Sequence, residues 1–126
     1  MTDQALSHVF DDLRIWKQQC GAGSAPHWTS DLAEKVEDIT ELLFAADQQP
    51  IVTHGRSFEK FVHEASDLLE RYSKALGRAI IEANRLSDSG DTEAACMVYQ
   101  NFIADCHAPF YRQIAQSQIR KLNDQA

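Results

Sequence analysis

No run of 18 apolar residues occurs in the 126-residue chain, and a helix needs about that many to cross a bilayer, so no segment reads as a membrane span. The opening MTDQALSHVFDDLR has neither the basic start nor the unbroken apolar stretch of a secretory signal. Cysteine is scarce and odd in number. Cys20, Cys96 and Cys106 lie far apart and form no Cys-x-x-Cys, which predicts free thiols in a reducing cytoplasm. Cations are also few: 12 Lys and Arg stand against 19 Asp and Glu, for a net charge of −7. Phosphate backbones and anionic bilayers are held by clustered Lys and Arg, so neither nucleic acid nor membrane is an expected partner. Only 3 prolines and 5 glycines occur, and Gly21, Gly23, Pro50, Gly90 and Pro109 can be read as punctuation. No segment alternates polar and apolar residues over a useful length, so no sheet is expected.

What is present is helical periodicity. Hydrophobic residues make up 44% and charged residues 25%, as in a globular protein, and the length suits one helical domain over 1–126. Leu6, Val9, Phe10, Leu13, Trp16 and Cys20 recur at gaps of three and four, predicting a first helix capped by Thr2 or Asp3 and stopped by Gly21 and Gly23. A loop over 21–30 follows. Ser30 is the expected cap of a second helix, whose apolar face is Leu32, Val36, Ile39, Leu43 and Ala46, and which Pro50 ends. Ile51 and Val52, in the next connector, are expected to pack inward. The longest pattern opens at Ser57 and runs from Phe58 to Leu86 without a break in phase, about 45 Å of helix at 1.5 Å per residue. Gly77 lies inside it, either for a close helix contact or as a bend. A turn at 87–91 leads to a helix capped by Asp91, with Ala95, Val98, Tyr99, Phe102 and Cys106 on one face. Pro109 kinks or restarts it, and Ile114, Ala115, Ile119 and Leu122 continue the stripe. The expectation is an all-α fold, a four- to five-helix bundle with one long central helix.

Two resemblances fall in the C-terminal half. Ala83 and Leu86, the turn Gly90–Asp91, then Ala95 and Tyr99 resemble a tetratricopeptide helical hairpin, although Phe102 stands where that repeat prefers alanine and no second copy follows. Ser89-Gly90-Asp91, Ala95, Pro109-Phe110-Tyr111-Arg112 and Ala115 are similar to the DUSAM domain, a family of unknown function. Both resemblances imply a helical fold, and neither implies a ligand.

Chemistry is sparsely signalled. The five histidines (His8, His27, His54, His63 and His107) form no His-Glu-x-x-His and no repeated Glu-x-x-His. Glu59 with His63, and Cys106 with His107, read as surface pairing and a buried thiol rather than as a metal site. No cofactor is implied, since Gly21-Ala22-Gly23-Ser24 follows a helix and lacks the lysine of a phosphate loop. Arg56 and His63, seven apart, are similar in spacing to the pair of HEPN ribonucleases. There Arg56 would hold a phosphate and His63 move a proton, but Ser57 departs from the Asn, Asp or His usual after that arginine.

The clearer surface signal is a row. Asp31, Glu34, Asp38 and Glu41 are spaced 3, 4 and 3, so they share one helix face, with Glu37 beside them and Lys35 expected to relieve part of the repulsion. His27 and Trp28 sit in the loop just before it, and Trp28 reads either as a plug over the core or as a binding anchor. The residues favour a non-enzymatic module that binds another, basic protein through Asp31, Glu34, Asp38, Glu41 and Trp28. One version is an immunity or inhibitor protein that neutralises a basic toxin. The rivals are a structural protein that forms a homodimer through the Phe58–Leu86 stripe, and a HEPN-like ribonuclease.

Overall fold

A computed structural model describes residues 3–52 and 56–125, and the side chains of 10–52 and 56–124. The expected cap Thr2, the side chains of Asp3 (the other expected cap), Leu6, His8 and Val9, and His54 lie outside these. The described chain is all-α, with no strand among its residues. It has five α-helices: α1 (Asp3–Gly21), α2 (Ser30–Leu43), α3 (Arg56–Asp88), α4 (Thr92–Asp105) and α5 (Pro109–Gln125), plus a short 3-10 turn at Ala46–Gln48. The chain divides into two compact units, 1–69 and 70–126, and the 33-residue α3 runs from one into the other.

In the first unit, α1 ends as its glycines predict. The Ser24 N–H donates to the Gln19 carbonyl at 2.7 Å and Gly23 N–H to the Cys20 carbonyl at 3.2 Å, with Gly23 at φ +75°, the left-handed position that such a stop requires. The cap of α2 is Thr29 rather than Ser30. Its extended backbone frees Oγ1 to accept from the Leu32 N–H at 3.1 Å, while Ser30 is already helical and cannot turn its hydroxyl onto that donor. α2 also stops seven residues before Pro50. Phe44 leaves the helix in an extended conformation and stacks on Phe61 with ring centroids 6.0 Å apart, and burying that ring outweighs further turns of helix. Ala46, expected on the apolar face, is consequently exposed in the 3-10 turn. The core of this unit gathers Leu13, Trp16, Val36, Ile39, Leu43, Phe58, Phe61 and Val62, and Trp16 meets Phe58 edge-on at 5.4 Å.

In the second unit, the residues after Asp88 turn sharply. The Asp91 N–H donates to the Leu86 carbonyl at 2.9 Å and Gly90 N–H to the Ser87 carbonyl at 3.0 Å, around Gly90 at φ +88°. Asp91 then serves the next helix, where its Oδ1 accepts from the Ala94 N–H at 3.1 Å. Ala83, Ala95 and Tyr99, on the helices either side of this turn, are all buried. Pro109 restarts the chain rather than kinking it. α4 closes at Cys106, and Pro109 is the first residue of α5, where its missing N–H costs no hydrogen bond. α4 and α5 run antiparallel, since the Cys96 thiol near the start of one faces the Asn123 amide near the end of the other at 3.7 Å. Gly77 is no contact glycine: a Cβ there would meet nothing within 4 Å, and α3 continues through it.

Candidate functional site

The acidic row lies in the first unit. Asp31, Glu34, Glu37, Asp38 and Glu41 are all exposed, on the side of α2 away from buried Leu32, Val36, Ile39 and Leu43. Lys35 does not relieve them as expected, because it reaches across to Asp12 of α1 at 3.6 Å. None of the five carboxylates pairs with a cation among the described residues. Asp31 sits in the first turn, where the helix dipole favours an anion. Glu41 sits in the last turn, which has no basic residue and where the free carbonyls repel it.

Trp28 occupies the position before the cap, from which an apolar side chain folds toward the fourth helical residue, here Ala33. Its ring meets Phe58 edge-on at 6.3 Å, yet the residue remains 36% exposed. It is therefore both a partial cover of the core and an available surface. Trp28 and Ala33 line an open cleft of about 310 Å³ together with Val36, Glu37, Thr40, Glu41, Gln49, Pro50 and Val52. Of the sequence-predicted residues, the structure brings Trp28 and Glu41 to this cleft and leaves Asp31, Glu34 and Asp38 on the open face. Glu37 proves to be a lining residue. The far wall, Gln49 to Val52, was not foreseen, because nothing local says which way a connector folds back. The one available signal was Pro50, whose fixed φ stiffens the connector. Ile51 and Val52 were expected to pack inward together. Side chains alternate in an extended segment, so Pro50 and Val52 face the cleft while Ile51 is 88% exposed. Thr40 is spent locally, with its hydroxyl donating to the Val36 carbonyl at 2.7 Å.

Arg56 and His63 are both exposed, about two turns or 10 Å apart along the start of α3. Neither lines the cleft beside α2. Among the described residues no three His, Cys, Asp or Glu side chains are grouped to hold a metal ion, and no helix is long and apolar enough to cross a membrane.

A second cleft, of about 410 Å³, lies in the second unit among Arg71, Tyr72, Ala75, Phe102, Asp105, Cys106 and His107. Its one nucleophile is muted. Burial pushes the Cys106 thiol above its ordinary range, outweighing the hydrogen bond with the Ala108 carbonyl and the nearby Arg112 and Arg71, so the unreactive thiol form prevails at neutral pH. His107 is exposed while Cys106 is buried, so the adjacent pair points apart. The motif that follows, Pro109 to Arg112, is not part of the lining but packs against residues that are. Tyr111 packs against Tyr72 at 6.3 Å and Phe110 against Tyr111 at 5.0 Å. Arg112 reaches back to donate to the Ile103 and Cys106 carbonyls at 2.6 and 3.0 Å, two of the acceptors that α4 leaves open at its end. Pro-Phe-Tyr-Arg is thus a device for stopping one helix and starting another.

Comparison with known proteins adds a family and no activity. The model of a protein family of unknown function (DUF2379) matches residues 37–122, about two thirds of the chain, and the chain belongs to that family. No curated protein and no solved structure matches it.

Proposed function

We propose that this chain is a non-enzymatic binding module for a basic protein, which it takes on the α2 face of its first unit. The observation that carries the reading is the convergence of Trp28, Glu37 and Glu41 on one open cleft beneath an unpaired acidic row. Like charges along a helix destabilise it by a few tenths of a kcal/mol per pair, and Glu41 is further disfavoured by the helix end, so beyond what Asp31 gives the first turn the fold gains nothing from the row. A basic partner converts that cost into attraction and fast association. An inhibitor of a basic toxin is one form of this module, with the carboxylates standing in for the phosphates of the toxin's substrate. The same charge repels RNA, which weighs against the Arg56–His63 pair as a ribonuclease. The three free cysteines suit the cytoplasm as its place of action. All the residues that resemble the DUSAM domain fall inside the family-matched segment, which supports treating that resemblance as the finer family relationship.

The test is capture of partners by the tagged chain, with affinity measured at low and high salt. A basic protein bound one-to-one, released by salt and weakened by Asp31→Lys, Glu34→Lys and Asp38→Lys together, supports the reading. Unchanged affinity of the triple variant overturns it.

A further inference from the structure

We infer that the cleft beside α2 is a receptor for one arginine side chain of the partner. The inference rests on the binding-module reading and names what that module grips. At about 310 Å³ the cleft lies at the lower limit of the roughly 300–1,000 Å³ typical of ligand sites, room for a side chain rather than for a cofactor. Its walls are of two kinds. Val36, Pro50 and Val52 offer apolar surface of the sort that methylene stems cover, and Trp28 adds an indole that is held edge-on by Phe58 yet still exposed. Glu37 and Glu41 stand one helical turn apart, their Cβ atoms about 5–6 Å from each other, and carry no ion pair among the described residues.

A guanidinium answers each feature. It is planar and stacks on indole, it offers a fork of donors that two carboxylates share, and it gives up water more readily than an ammonium. Lysine brings the charge without the fork or the stacking plane. Long-range charge points the same way. The first unit holds 12 acidic and 5 basic residues, the second 7 and 7, so the whole net charge of −7 belongs to the unit that bears the cleft.

The experiment is a nuclear magnetic resonance titration of the full chain with a capped Gly-Arg-Gly peptide and its lysine and citrulline counterparts, citrulline being the uncharged near-isostere. The indole N–H of Trp28 and the amides of Glu37 and Glu41 report the cleft, and buried Trp16 serves as an internal control. The expected result is saturable movement at Trp28 but not Trp16, with a Kd on the order of 1 mM for the arginine peptide. Binding should be at least about tenfold weaker for citrulline and intermediate for lysine. Trp28→Ala and the paired Glu37→Gln, Glu41→Gln variant should each abolish the saturable movement while helix content, read by circular dichroism, stays unchanged. Non-saturating shifts spread over every exposed carboxylate, or equal binding of the citrulline peptide, overturn the inference. Failure here and failure of the parent reading are separable. A captured basic protein that still binds the cleft variants but not the Asp31, Glu34, Asp38 variant removes the arginine receptor and keeps the module. A cleft that binds the arginine peptide in a chain that captures no basic protein does the reverse.

Discussion

The two units are built with similar care and charged differently. In the second, at 7 acidic and 7 basic residues, the conspicuous polar groups are committed to structure. Asp91 caps α4, Arg112 closes its other end, and Arg71 lies over the Tyr72 ring at 5.2 Å. In the first, at 12 against 5, the carboxylates of α2 serve no cap beyond what Asp31 gives the first turn, and they meet no cation among the described residues. The family match covers all of the second unit except its last four residues, but reaches only part of the α2 cleft, from Glu37 onward. Within the matched segment, Gly90, Asp91, Pro109 and Arg112 shape the backbone. In this molecule the readable pattern and the candidate site are therefore largely different residues.

The contrast can be broken most forcefully at the core of the second unit. Tyr99 is 1% exposed, and Tyr99→Ala removes an aromatic ring from a filled space, which should cost about 3–5 kcal/mol in urea unfolding. Next comes Arg112. Arg112→Ala leaves the Ile103 and Cys106 carbonyls without their donor and should cost about 1.5–3 kcal/mol, as for other hydrogen bonds to charged groups. Arg112→Lys should recover only part of this, because an ammonium lacks the fork. If Arg112→Ala leaves stability unchanged, the Pro-Phe-Tyr-Arg motif is not the punctuation described above, and a role in binding gains ground.

Two glycines sharpen the comparison within a single helix and its exit. Gly90 holds φ +88°, so Gly90→Ala should destabilise by about 1–2 kcal/mol. Gly77 is in regular helix with open space around its missing Cβ, so Gly77→Ala should instead stabilise by about 0.5–1 kcal/mol. Opposite signs in thermal unfolding would confirm that one glycine is required by the backbone and the other is not.

How far the sequence could be read follows from the range of the forces involved. Gly23, Gly90 with Asp91, and Pro109 act on their own neighbours, and each end they predict is observed within a residue or two. The early stop of α2 escaped because it depends on Phe61, 17 positions from Phe44, and no local rule weighs a distant ring. Lys35 escaped for the same reason, since its partner Asp12 is on another helix. The acidic row was legible because helical spacing alone defines it. The cleft was not, because its two walls come from α2 and from a connector folded back on it.

The smallest expected effect bears most directly on function. Glu34→Gln, Asp38→Asn and Glu41→Gln together remove three charges from the row and leave Asp31 to its favourable place in the first turn. If these side chains have only a partner to serve, the folded chain should not miss them. Stability should stay within about 0.5 kcal/mol and lean toward a gain, because repulsion along the helix is relieved. The same variant should associate more slowly with a basic partner and lose most of the salt dependence of that rate. A loss of stability above about 1 kcal/mol would mean that the row supports the fold of the first unit after all, and the difference between the two units would then be one of amount of charge rather than of purpose.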